Sequence, residues 1–288
     1  MLQIGLLIAL LSALTMNLAF FFKFRGARVA PRVDLRHPIA TAVALWRSKW
    51  FATGMVVGLI AWGMHVAALT IAPLSLVQAV VASGVALVAV MADRIFGLKV
   101  GRRQWWGLAL TAVGLALLAL TMPASVGPHA SYSGAQMALF EAVLLAVGVV
   151  LIVGPRAAGA RTEHHGIALA AAAGIMFGVC NVSVKALTGT LPDAGLLGLL
   201  SAPTAIAVLA SIGAFYASAR SLQLGGAVAV IGITGTASSI TCVAGGILVF
   251  GDPMPADLLG VLVQVLAFVL VIVASALIPA SRVGQVAT

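Results

Sequence analysis

The chain has 288 residues, of which 62% are hydrophobic and only 8% carry a charge, at a mean hydropathy of +1.17. A water-soluble domain of this length needs far more charge to cover its surface, so the composition identifies a polytopic membrane protein with no soluble domain left over. The net charge of +9 is spread over loops with no basic module large enough to fold, which argues against nucleic acid as a partner.

Apolar runs long enough to span ~30 Å of hydrocarbon at ~1.5 Å per residue recur nine times: 2–22, 51–71, 73–92, 104–122, 135–154, 166–188, 196–217, 226–249 and 258–279. The first run carries Asn17 near its end, has no basic stretch before it and is too long for a signal core, so it is expected to stay as a helix. In the loop that follows, PIATAVALWRSKW (38–50) sets Ile39, Val43, Trp46 and Trp50 near one helical face after a starting proline. That pattern fits a helix lying flat at the membrane interface, the alternative being an irregular connection.

The second span holds His65 and the third holds Gln78 and Ser83. The fifth holds Glu141 and the sixth holds Asn181 and Lys185; these two charges are the only full ones inside the spans. An ionisable residue at membrane depth costs on the order of 3 kcal/mol if unpaired, so each is a candidate functional residue. Lys185 lies near the span end, where a lysine stem can also snorkel to the headgroups. Glu141 is shorter and needs a partner, a cavity or a proton.

Ala170, Gly174, Gly178, Asn181 and Lys185 are spaced by four, four, three and four residues, which puts them on one helical stripe. Small residues at that spacing let membrane helices approach closely, so the stripe is expected to face inward, toward a solute or another helix. The eighth span carries Thr234, Thr236, Ser238, Ser239 and Thr241, and the ninth carries Gln264. Hydroxyls that bond back to their own helix are the bland account of the first group.

Nine spans make the loops alternate sides. Fifteen of the 16 Lys and Arg residues then fall on one side, and the opposite loops hold Asp193, Asp252, Asp257 and His129. Basic loops stay in the cytoplasm, so the N-terminus is expected outside and the C-terminus, with a short tail at 280–288, inside. His65, Gln78, Glu141, Asn181, Lys185 and Gln264 all fall in the outer half of their spans, as if lining one outward vestibule.

Two segments recur in order. GLLIALLSALTMNLAFFFK from Gly5 echoes GIALAAAAGIMFGVCNVSVK from Gly166, and FGLKVGRRQWWGLAL from Phe96 echoes FGDPMPADLLGVLV from Phe250. Spans 1 to 4 (about 2–122) thus correspond to spans 6 to 9 (about 166–279), with the fifth (135–154) unpaired. An odd offset of five spans inverts the second copy, the inverted-topology repeat used by many secondary transporters.

IAPLSLVQAV from Ile71, FGLKVGRRQWWGLALTAVGLALL from Phe96 and FGDPMPADLLGVLVQVLAFVL from Phe250 resemble motifs of the drug/metabolite transporter superfamily, EamA-like in its nine-helix form. Lys99 and Asp252 stand near places where that family often has Glu. The resemblance implies a single transporter domain over 1–288 that carries a small organic solute across the cytoplasmic membrane by alternating access, in the direction of export. Substrate contact would fall to Lys185, Asn181, Gln78, His65, Gln264 and Asn17, and proton coupling to Glu141. A likeness to NIPA-like magnesium transporters sets a divalent-cation path beside this reading, although one membrane carboxylate next to a lysine is a poor oxygen cage.

A membrane scaffold or assembly subunit is the alternative of another class. An enzyme is not expected: the adjoining Glu163, His164 and His165 cannot by themselves make a tetrahedral metal site, there is no P-loop, and Cys180 and Cys242 read as small apolar residues. No cofactor and no metal are therefore expected. The expected partners are the solute and membrane lipids, with room for a homodimer contact at the unpaired fifth span.

Overall fold

The structure, a computed structural model, describes residues 2–31, 38–83, 102–121, 131–157, 162–224 and 227–277. Residues 84–92 of the third expected span, Lys99 with the FGLKVG segment, and residues 280–288 lie outside them. Among the described residues every regular element is a helix: α1 (Leu2–Val29), α2 (Pro38–Arg47), α3 (Lys49–Ile71), α4 (Leu74–Ser83), α5 (Arg102–Thr121), α6 (Gly134–Ala157), α7 (Thr162–Ala194), α8 (Ala202–Leu224), α9 (Ala227–Leu248) and α10 (Leu258–Leu277). Five of them, α1, α3, α6, α7 and α8, are long and apolar enough to cross a membrane, and α4, α9 and α10 contribute shorter apolar stretches, as in a multi-pass membrane protein.

The helices outrun the apolar runs where charge does not stop them. α1 continues through Lys23 and Arg25 to Val29, since cations suit a helix C-terminus. The Arg25 guanidinium also sits 4.0 Å from the Trp50 ring centroid. Similarly, α7 runs on to Ala194, and a 3-10 turn at Gly195–Leu199 pushes the start of α8 to Ala202, six residues later than the apolar run begins. The segment at 38–47 is a helix rather than an irregular connection.

Close approach of small residues sets the pairings. α1 lies against α3 so tightly that a Cβ on Gly54 would stand 2.8 Å from the Ala19 carbonyl oxygen, and one on Gly26 would overlap the Phe51 backbone. Ser12 Oγ donates to the Ala61 carbonyl across the same seam at 2.7 Å. α7 packs on α8, α9 and α6, while α5 packs on α10. α4, α5, α9 and α10 share a core of Ala79, Ala82, Leu118, Val243, Ala267, Phe268 and Val271.

Burial ranks the helices. The most apolar window of α7 is 67% buried and that of α6 is 17% buried, so α7 is the central helix and α6 a peripheral one. At one end of the bundle Ala27, Leu45, Phe51, Ala170, Ala219, Leu222 and Val230 form a cluster that ties α2 to the ends of α1, α3, α7, α8 and α9.

Candidate functional site

The stripe on α7 meets α9. A Cβ on Gly174 would press on the Thr234 carbonyl and stand 2.7 Å from Ala237 Cβ; one on Gly178 would overlap Thr241. Thr234 Oγ1 donates to the Ala170 carbonyl at 3.1 Å, and Asn181 Nδ2 reaches Cys242 Sγ at 3.7 Å. From Ala170 to Asn181 the face is thus a helix-packing surface, with the polar groups of α9 bonding across it. Thr234 and Ser239 face neighbouring helices rather than only their own backbone.

Lys185 continues the stripe beyond α9 and does not snorkel. It is fully buried, and its Nζ donates to the carbonyls of Leu69 at 2.8 Å and Ala72 at 3.0 Å, at the C-terminus of α3. The reason lies in Pro73. In a continuous helix the Leu69 carbonyl would accept from the N–H of residue 73, but proline has none. The chain breaks into an elbow at Ala72, whose backbone is extended, and the freed carbonyls need a donor in an apolar interior. A lysine also complements the negative end of the α3 dipole.

The other limb of the elbow is held by an anion. Asp252 is 3% exposed, and its Oδ2 accepts from the Ser75 N–H at 2.7 Å, so the carboxylate caps the N-terminus of α4 from 177 residues away. Gly251, at φ +61°, turns the chain after α9 so that the Asp252 N–H donates to the Gly246 carbonyl at 2.9 Å. A Cβ on Gly246 would overlap the Asp252 carboxylate. Asp252 interacts electrostatically with Lys185, so a cation from α7 and an anion from the α9–α10 loop clamp the two limbs of the α3–α4 elbow.

Two further candidates flank this clamp. Gln78, one turn along α4 from Ser75, donates from Nε2 to Ser239 Oγ at 3.2 Å, and Gln264 on α10 donates to the Pro253 carbonyl, beside Asp252, at 3.1 Å. Both glutamines are buried, and Gln78 Oε1 and Asp252 Oδ1 have no hydrogen-bond partner among the described residues.

Glu141 stands elsewhere. It is 1% exposed on α6, where Oε1 accepts from Ser183 Oγ at 2.6 Å and Oε2 has no partner among the described residues. Ser183 lies two residues from both Asn181 and Lys185, which at ~100° per residue puts it on the opposite flank of α7. Ser183 Oγ is also 3.1 Å from the Val179 carbonyl. A hydroxyl has one proton, so the two acceptors share it, and Val179 takes all of it only when a protonated Glu141 becomes the donor.

The remaining candidates do not join either group. His65 is 5% exposed on the Gly54, Gly58, Ala61 face of α3 that packs on α1, and its Nε2 has no partner among the described residues. Asn17 is half-buried and donates to its own helix at the Ala13 carbonyl, 2.8 Å away. Lys185, Gln78 and Gln264 therefore gather about the elbow and the Asp252 loop, whereas Glu141 bonds to the opposite flank of α7, Asn17 bonds to its own helix and His65 shares no hydrogen bond with them among the described residues. Sequence reasoning did not assign roles to Asp252, Ser75 and Ser183. The signal for Asp252 was an acid beside a proline next to an apolar run, and its counterpart was Pro73 at the break between two apolar runs.

Among the described residues no three His, Cys, Asp or Glu side chains come together as a metal-binding group. Comparison of the chain with models of known families, with curated proteins and with solved structures finds no match to any of the three.

Proposed function

We propose that the chain is a secondary transporter of the cytoplasmic membrane that moves a small organic solute by alternating access, with export as its direction. The observation that carries this reading is the set of buried polar atoms without a protein partner among the described residues, in an otherwise apolar bundle: Gln78 Oε1, Asp252 Oδ1, Glu141 Oε2 and His65 Nε2. An unsatisfied polar group in hydrocarbon costs several kcal/mol, on the order of 1–3 even by measured protein values. A helical scaffold gains nothing from that expense, whereas a carrier needs polar atoms free for solute, water or protons.

The helix pairings support an inverted repeat of nine spans, and the basic loops argue for an outside N-terminus. α1 packs on α3 as α7 packs on α8, α4 bonds to α9, and α5 lies on α10, which is the pairing expected if α1, α3, α4 and α5 repeat as α7, α8, α9 and α10. The peripheral α6 takes the place of the unpaired span. In this reading the clamp on the α3–α4 elbow joins the second repeat to the first at the outer end. Alternating access breaks and remakes it, because α7 cannot rock away from α3 while Lys185 holds the Leu69 and Ala72 carbonyls.

Solute contact falls to Gln78, Gln264 and Lys185 near the elbow, and Glu141 with Ser183 is the proton-coupling candidate. A divalent-cation path is the weaker reading, because the two buried carboxylates, Glu141 and Asp252, engage separate partners on different helices and a lysine neighbours the second.

Metabolites inside and outside cells with and without the protein, compared without preselection, would identify the solute, and flux into proteoliposomes of the purified protein would test it. Saturable flux of an organic solute is the expected result. Flux of none, with the protein folded, would overturn the carrier reading in favour of an assembly subunit.

A further inference from the structure

α2 is apolar on two opposite sides. Leu45 and Thr41 turn inward, where Leu45 is fully buried among Ala27, Phe51, Ala219 and Leu222. Ile39, Ala42, Val43 and Trp46 follow the i, i+3, i+4, i+7 spacing of a single face on the other side. Ile39 is 79% exposed and Val43 and Trp46 about half exposed. With Tyr216 of α8 and Arg47 this face lines an open groove of about 560 Å³, within the ~300–1,000 Å³ typical of ligand sites.

The position of the groove limits what can fill it. α2 joins the ends of α1 and α3, and Tyr216 lies about 12 Å along α8 from its Leu224 end at ~1.5 Å per residue, so the groove runs from the interface toward the hydrocarbon. At the helix end stands Arg47, two residues before Lys49 and three before Trp50, on whose ring Arg25 stacks. The segment 23–49 carries seven Lys or Arg residues against one acid, Asp34. An apolar slot closed by a cation, on the strongly basic side of the chain, is complementary to a molecule with a long apolar body and an anionic head.

We propose that the α2–α8 groove binds one anionic phospholipid, an acyl chain lying along Ile39, Val43, Trp46 and Tyr216 and the phosphate on the Arg47 guanidinium. Arginine suits this role because its planar donors match phosphate oxygens. The bound lipid fastens α2 to α8, and so the loop between the first two long helices to the second half of the chain.

The test uses the full chain purified in neutral detergent, titrated with phosphatidylglycerol, phosphatidylcholine or inorganic phosphate, with retained ligand read by native mass spectrometry and stability by thermal unfolding. One equivalent of phosphatidylglycerol should be retained saturably and raise the Tm, with phosphatidylcholine weaker and inorganic phosphate inert. Arg47→Gln, an exposed position, should weaken phosphatidylglycerol about fivefold, the effect of one cation at an anionic surface, and phosphatidylcholine less, because its choline already offsets the phosphate charge. Ala42→Trp, which fills the groove, should weaken both lipids at least tenfold. Equal retention of the two lipids by the wild type, wild-type retention by Arg47→Gln, or displacement of the lipid by inorganic phosphate would overturn the proposal. So would a change of oligomeric state in Ala42→Trp with lipid retention unchanged, which would make the face a contact between copies.

Discussion

Replacing Lys185 by methionine keeps the length of the side chain and deletes only the ammonium. In the native structure that fully buried ammonium donates to the Leu69 carbonyl, for which Pro73 has no N–H to offer, and to the Ala72 carbonyl at the elbow. Hydrogen bonds to charged groups contribute ~1.5–3 kcal/mol each in soluble proteins, but interhelical bonds in bilayers average nearer ~0.6 and reach ~2. Two such bonds at the bilayer values give ~1–4 kcal/mol. Loss of the positive charge that acts on the buried Asp252 carboxylate adds to this without a direct contact between the two groups. We expect Lys185→Met to lower stability by ~3 kcal/mol. Reversible unfolding in mixed micelles measures it. The same experiment on Asp252→Asn and on the double variant yields the coupling, expected at ~1–3 kcal/mol for groups sharing one network. A Lys185→Met penalty below ~0.5 kcal/mol, or strictly additive penalties, would refute the clamp.

Glycine substitutions separate close packing from propensity. Gly174→Ala places its Cβ against the Thr234 carbonyl and Ala237 and should cost ~1–3 kcal/mol, whereas Gly235→Ala on α9, which has nothing within 4 Å, should be neutral or gain up to ~1 kcal/mol; equal effects in thermal unfolding would contradict the α7–α9 packing. Ser12→Ala removes the α1–α3 hydrogen bond and should lower stability by ~1 kcal/mol, a loss that Ser12→Thr should largely spare. In proteoliposomes, Glu141→Gln should abolish the pH dependence of solute flux while preserving the fold; flux that keeps the wild-type pH profile would remove Glu141 from coupling.

The glycine stripe of α7 was legible because it depends only on local geometry: residues spaced by three and four share a face wherever the helix sits, and that face does meet α9. The helical character of 38–47 was legible for the same reason. Element ends were less so, since α1 and α7 run beyond their apolar stretches and the turn at Gly195–Leu199 delays α8. Partners were not legible at all. Gln78 meets Ser239, 161 residues away, and Glu141 meets Ser183 across a helix boundary, pairings that no periodicity encodes.

The contrast is sharpest at Lys185. Composition and hydropathy alone determined that this chain lives in lipid and that a lysine inside its sixth apolar run demands an explanation, because the cost of burying charge follows from solvent and residue type. Which explanation holds was decided by tertiary structure. Pro73 strips a hydrogen-bond donor from the end of α3, and folding brings Lys185 across 116 residues of sequence to replace it and Asp252 to cap the helix that begins there. A one-dimensional pattern records that a buried carbonyl and a buried ammonium each need a partner; only the packing of α7 against the α3–α4 elbow makes them each other's.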